Sequence, residues 1–442
     1  SMPVPLGADM PIDHFVILMM ENRSFDHYFG WLDPEKADAS QHQVYLDEAG
    51  VAHKTRHTSE LLGPDGQWQG CGFEDPGHGW GSGRAQLRDG FMAAGADTDE
   101  LALTYFNEGE LEFLHGAAEA FTVYDKYFCS LLGPTWPNRY YKWSAQSGGR
   151  TNTSPPVETV GNQWETIFAR ADATNGTVTA QYFNSDLPFS AVWGQRAGRW
   201  TRPVAEYYAR CATGTLPNIT IIDPPFRDGG GFDGASADEH PLADVRLGQA
   251  FMADVAGAFL ASPQFRRGAM FIVYDEWGGF FDHVRPPRVA DDRASADLNQ
   301  DFGQLGFRTP TVALSPYTLG GRISNVGPLA HESILKLIEQ RFAFAPLTKR
   351  DAQAVSIGES FDWTIDPAKV EVPELPHPDR IVSRPCSFGG GDVVDPGGAH
   401  AADIAALEEL AHRVGIPVGD GKPHELFRQP DGVLRAFSTS ST

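Results

Sequence analysis

Cysteine, positive charge and long apolar runs are all scarce in this chain of 442 residues. The four cysteines, Cys71, Cys129, Cys211 and Cys386, lie far apart, and no two make the close pair that a zinc module needs. Their even count leaves two disulfides and buried thiols equally open, and it permits an oxidising compartment. Against 58 acidic residues stand only 35 lysines and arginines, a net charge of −23. That balance makes nucleic acid a poor partner and disfavours strongly anionic membranes. No stretch approaches the roughly 20 apolar residues that span a bilayer. Internal repeats and long low-complexity tracts are missing too, so the fold is not a repeat array.

What remains is ordinary globular material, 41% hydrophobic and 21% charged. Such a length predicts one large, elaborated α/β domain, or a domain with a smaller appendage. The opening Ser1-Met2-Pro3 reads as the remnant of a tag, so a removed export signal would leave no trace. Apolar or β-branched runs at 15–20, 177–183, 219–223, 270–274 and 311–314 read as strands. Helical periodicity fills several gaps, as at 244–260 and 329–342, and strands separated by helices predict a mostly parallel sheet with helices on both faces. Prolines 373, 376 and 378 mark a surface linker, followed by a helix-like stretch at 401–414.

Two of these runs stop at oxygen-rich pairs, FVILMM at Glu21-Asn22 and MFIVY at Asp275-Glu276. In open α/β sheets ligands collect beyond the carboxyl ends of the strands, so adjacency of the two strands would bring three carboxylates and an amide oxygen to one spot. Buried, unpaired carboxylates cost several kcal/mol each, roughly, or take up protons, and a cation resolves the conflict. The plainer alternative, that these are helix caps or turn residues, holds for any single one of them and less readily for two pairs. Only oxygen donors are offered, which suits a hard divalent cation of the calcium, magnesium or manganese type; zinc stays open.

A candidate nucleophile lies in GPTWPNR at 133–139. Pro137 suits a first helical turn, so Thr135 falls at a helix N-terminus, where unpaired N–H groups favour a phosphorylated hydroxyl. A threonine that merely starts a helix is the bland reading of the same residue.

Taken together, ENRSFDHYFG at 21–30, GPTWPNR, DEHPLADVRLG at 238–248 and YDEWGGFFDHV at 274–284 resemble a bacterial and plant phosphoesterase family. It contains phosphatidylcholine-type phospholipases C, plant non-specific phospholipases C and a branch of acid phosphatases. The likeness runs from about residue 11 to about 363. It implies an alkaline phosphatase-like α/β sandwich, with a catalytic domain over 11–370 and residues 371–442 as linker and small C-terminal segment packed upon it. By this resemblance Glu21, Asn22, Asp275 and Glu276 match ligands of one divalent cation, and Thr135 matches the nucleophile whose oxygen also faces it. His240 matches the residue that protonates the leaving oxygen, and His78 one that contacts the phosphoryl group, tasks suited to a side chain titrating near neutrality. Asn138, Arg139 and His283 are candidates for holding the substrate.

The implied reaction is phospholipase C cleavage of a phospholipid to diacylglycerol and a phosphorylated head group. The alternative is a broad-specificity acid phosphatase acting on monoesters. Peripheral membrane contact and an extracytoplasmic or secreted location are further expectations of the resemblance. A catalytically dead relative would show a broken ligand set, which this chain does not. Trp136 and Trp277 stand where relatives carry smaller or polar residues, and they predict a narrower, more aromatic pocket.

Overall fold

Val16, Leu18 and Met20 point to one face of the first strand, Phe15, Ile17 and Met19 to the other, and all six are buried. A strand buried on both faces belongs to the middle of a sheet covered by two helical layers. The computed structural model, which describes residues 3–156, 159–227, 236–379, 381, 383, 386 and 398–421, has that arrangement. Its main sheet has eight strands: β1 (His14–Met20), β2 (Thr122–Tyr124), β3 (Ala180–Asn184), β4 (Thr201–Pro203), β5 (Ile219–Asp223), β6 (Gly268–Tyr274), β7 (Val312–Leu314) and β8 (Arg322–Ser324). Their spatial order is β8-β2-β7-β6-β1-β5-β3-β4. The mostly parallel α/β class expected from the sequence is the class observed.

Six helices cover the sheet: α1 (Glu112–Ala120), α2 (Thr135–Ser144), α3 (Val204–Thr213), α4 (Val245–Ala261), α5 (His331–Phe342) and α6 (Gly398–Val414). Phe15, Ile17 and Met19 share a core with Tyr140 and Trp143 of α2, Ile334 and Ile338 of α5, and Leu407 and Leu410 of α6. Val16, Leu18 and Met20 meet Phe113 of α1, Tyr207 of α3 and Met252, Val255 and Phe259 of α4. Each large apolar side chain buried this way contributes about 1.5–3 kcal/mol, so both layers are held chiefly by area removed from water.

One strand departs from the expected direction. The run at 311–314 forms β7, which lies antiparallel to both β6 and β2. Between Tyr274 and Val312 the chain forms no α-helix, so it turns back beside β6 without a crossover, and only an antiparallel neighbour can be reached that way. The run expected at 177–183 is ordered as strand from Ala180 onward. β2, β4 and β8 have three residues each and carry no period that a sequence can show.

Of the four cysteines, Cys71 and Cys386 form a disulfide across 315 residues, while Cys129 and Cys211 are buried thiols. Among the described residues no helix is long and apolar enough to cross a membrane.

Candidate active site

Strands β1 and β6 are parallel neighbours in register from His14 opposite Gly268 to Met20 opposite Tyr274. The residues just beyond them must therefore meet. Asp275 N–H donates to the Met20 carbonyl at 3.1 Å, and Arg23 N–H to the Glu276 carbonyl at 3.1 Å, so pairing continues past both strand ends. Asn22 sits at φ 58°, a left-handed conformation that asparagine tolerates better than most residues, and its N–H donates to Asp275 Oδ1 at 2.9 Å. Gly278 (φ 66°) lies so close that a Cβ there would fall 2.1 Å from the Asn22 carbonyl oxygen. The glycines of DEWGG thus let the second acidic loop pass over the first.

α2 starts at Thr135, capped by Pro134, and aims Thr135 at the same spot: its Oγ1 donates to Asn22 Oδ1 at 3.3 Å. Glu21, Asn22, Thr135, Asp275 and Glu276 are all buried. Arg139, one turn into α2, is wholly buried and reaches Glu21 at 3.2 Å, Asp275 at 3.6 Å and Asp223 at 2.8 Å. Even so, Glu21 Oε2, Asp275 Oδ2 and Glu276 Oε1 have no hydrogen-bond partner among the described residues. Burial pushes the carboxyl groups of Glu21, Asp275 and Glu276 up, and their mutual repulsion reinforces it in Glu21 and Glu276. Three orphaned carboxylate oxygens, an amide oxygen and a hydroxyl are a donor set that fits a hard divalent cation.

Two histidines flank this cluster. His78 donates through Nδ1 to the Pro76 carbonyl at 2.9 Å, leaving Nε2 to accept from Asn22 Nδ2 at 3.3 Å and to face Glu276 Oε1 at 4.0 Å. Burial lowers its pKa, so it is neutral at pH 7. His240 donates from Nδ1 to its neighbour's carbonyl at Pro241, its N–H is held by Asp238, and its Nε2 lies 3.8 Å from Asp75. The two rings are 5.7 Å apart. Asp75, His78 and His240 also form a tight acid–histidine group of their own.

The remaining sequence candidates are engaged elsewhere. Asn138 accepts from Leu131 N–H and donates to the carbonyls of Leu131, Gly133 and Pro134, which holds the loop ahead of α2 and leaves its amide committed. His283 bonds Asp26 and Asp38 within a second ion cluster that Asp282 and Arg308 complete, and Asp26 and Asp282 raise its pKa to about 9 against the opposing effects of burial and Arg308. Both therefore act on loops rather than in the carboxylate cluster. Trp277 is core, its indole N–H donating to Gln86 at 2.8 Å, whereas Trp136 does line the cavity over Thr135.

Sequence reasoning missed three residues. Asp223 ends β5, the other neighbour of β1, and binds Arg139, Lys142 and Tyr182; the strand-end rule applied to the first two pairs would have found it. His331, at the start of α5, donates from Nε2 to the Asp275 carbonyl at 2.8 Å and accepts from Tyr127 at 2.9 Å. Asp403 of α6 lines the Thr135 cavity with Ile404 and Leu407, a placement that no local pattern announces.

An α/β sandwich whose strand-end carboxylates surround a helix-borne hydroxyl is built like a hydrolase of charged esters. The Phosphoesterase family profile matches residues 12–345, well over half of the chain, and the chain belongs to that family. As a member it is a phosphoric ester hydrolase. It is 29% identical to non-specific phospholipase C6 of Arabidopsis thaliana, over 78% of this chain and 71% of the relative. Phospholipase C B of Mycobacterium tuberculosis is also 29% identical, covering 85% and 82%. The non-hemolytic phospholipase C of Burkholderia pseudomallei is 28% identical over 76% of this chain, which spans only 56% of that longer protein. A solved structure of an alkaline phosphatase superfamily protein from Vibrio parahaemolyticus is similar at TM-score 0.36 and 8% identity, covering 78% of this chain and 73% of its own, a likeness too loose to add to the fold seen directly.

Proposed function

We propose that the chain is a phospholipase C-type phosphodiesterase that works through a phosphothreonine at Thr135, in a catalytic unit spanning 11–370 against which the described helix of the C-terminal segment packs through Leu407 and Leu410, the rest of 371–442 lying largely outside the described residues. The supporting observation is the approach of the Thr135 hydroxyl to Asn22 among three carboxylate oxygens that accept no hydrogen bond from the described residues. Thr135 Oγ1 attacks phosphorus, the bond to the departing alcohol breaks, and the threonyl proton is released to water. His240 gives its proton to the departing oxygen, which for a phospholipid is that of diacylglycerol. Water then cleaves the Thr135–phosphorus bond and frees the phosphorylated head group.

Glu21, Asn22, Thr135, Asp275 and Glu276 would hold one divalent cation of the calcium, magnesium or manganese type, zinc being the less fitting choice for an all-oxygen set. When bound it supplies charge neutralisation at the phosphoryl oxygens and the nucleophile. Arg139 holds Glu21, Asp275 and Asp223 together and donates to the carbonyls of Met19 and Met20, so it supports the strand ends. His78, neutral and fixed through Pro76, faces the place of a phosphoryl oxygen. The Cys71–Cys386 disulfide supports an extracytoplasmic location, with phospholipid reached by peripheral contact.

Thr135→Ala should lower kcat by at least about 10³-fold, with Thr135→Ser keeping part of it. Acid quench of the wild type during turnover, followed by peptide mass spectrometry, should find a phosphoryl group on Thr135. Undiminished turnover in the alanine variant would remove Thr135 from the reaction.

A further inference from the structure

The cavity above Thr135 has a wall that comes from the far end of the chain. Glu21, Thr135 and Arg139 form its floor, Trp136 one side, and Asp403 and Ile404 of α6 another. It measures about 320 Å³ counted out to its open mouth. The cavity is thus shared between the start of α2, which carries Thr135, and the wall made by α6. That helix is firmly placed: Leu407, Leu410, Ala411 and Val414 are buried in the sheet core, Glu408 pairs with Arg227, and Arg413 donates to the Pro156 carbonyl. Thr153 Oγ1 fixes the Asp403 carboxylate by donating to Oδ1 at 2.9 Å. Oδ2 accepts no hydrogen bond from the described residues.

We propose that Asp403 selects substrates by charge, favouring phosphodiesters with a cationic head group and penalising dianionic monoesters. This rests on the reading of Thr135 as the nucleophile. The aromatic faces of Phe189 and Phe226 in the same cavity are already turned to Arg139, at 5.9 and 4.8 Å, so the attraction for a substrate cation falls to the carboxylate with the Trp136 ring beside it. A monoester brings a second negative charge into the cavity beside that carboxylate, where low dielectric magnifies repulsion. Burial lifts Asp403 to about 6, so the carboxylate is ionised at pH 8, the condition of the test.

The test compares kcat/KM at pH 8 for p-nitrophenyl phosphorylcholine, bis(p-nitrophenyl) phosphate and p-nitrophenyl phosphate. Asp403→Asn should lower the ratio of the first to the last by about tenfold, with the singly charged diester between them, while Asp403→Glu preserves the ratio. An unchanged ratio in Asp403→Asn, or an equal loss on all three substrates, overturns the proposal. If Asp403→Asn fails to fold, Ile404→Asp decides: a second carboxylate on the same wall should raise the ratio, and no rise overturns charge selection. Thr135→Ala separates the two readings. Full activity there sinks the nucleophile itself, whereas a dead Thr135→Ala beside a charge-blind Asp403→Asn sinks only the selectivity.

Discussion

The backbone N–H of Asn22 donates to Asp275 Oδ1 at 2.9 Å, joining two loops 253 residues apart in the chain. This bond holds Asn22 left-handed and turns its side-chain oxygen toward Thr135. The geometry needs a neighbour without a side chain, which makes Gly278 a sensitive position near the site. Gly278→Ala would place a carbon 2.1 Å from the Asn22 carbonyl oxygen in a backbone conformation that alanine resists. The expected result is loss of about 10²-fold or more in kcat/KM, with the far-ultraviolet circular dichroism of the sheet retained. Near-normal activity would show that Asn22 tolerates displacement.

Cation removal should change both activity and the pH dependence of stability. Without a cation, the folded pKa values of Glu21, Asp275 and Glu276 lie above those of the unfolded chain. The folded protein then holds more protons than the unfolded one above about pH 4, so stability is fullest below that pH and falls as pH rises toward the raised values. Chelator-treated protein should melt at progressively lower temperature from about pH 4 upward. Adding back calcium, magnesium or manganese should restore turnover and flatten that slope. A melting curve indifferent to chelator at pH 8 would count against a cation in this cluster.

Asp223 is the counter-charge of two buried cations, Arg139 at 2.8 Å and Lys142 at 3.1 Å. Burial alone would raise its pKa, but Lys142 and Arg139 outweigh that and hold it low. Asp223→Ala strands Lys142 and leaves Arg139 with only Glu21 and Asp275, and should reduce the unfolding free energy at pH 7 by about 3–5 kcal/mol in urea titration. A cost under about 1 kcal/mol would mean that the carboxylates of Glu21 and Asp275 suffice for both.

His331 holds the Asp275 carbonyl from behind and is kept neutral by burial, its pKa lowered to about 3. The unfolded chain protonates this histidine near 6.5, so between pH 6.5 and 3 the unfolded state binds the extra proton and stability falls as pH drops. The loss is at most about 1.4 kcal/mol per pH unit. His331→Asn should flatten this part of the acid limb and, by loosening Asp275, reduce kcat. Parallel stability–pH curves for the two proteins would remove His331 from acid sensitivity.

Much of the layout was legible because buried parallel strands are written as unbroken apolar runs. Phe15 to Met20 and Met270 to Tyr274 announced β1 and β6, and the acids that end them announced where charge would gather. β2, β4 and β8 escaped because three residues hold no periodicity and theirs are mixed with Thr, Arg or Ser, whereas the equally short β7 is wholly apolar; β7 ran the other way because no helix carried the chain across. Asp403 and His331 were invisible as partners of the site. Each lies on an amphipathic helix whose sequence explains only its buried face.

The amino-acid order alone determined the two-sided core, the strand-end oxygen pairs and a threonine at the start of a helix, since these follow from local periodicity and from helix and strand termini. Only the tertiary structure decided that β1 and β6 are neighbours, that Arg139 ties Asp223 to the carboxylates, and that α6 closes over Thr135. Those contacts span from 84 to more than 250 residues of chain, and strand order and helix docking are set by the packing of whole layers, which no local stretch encodes.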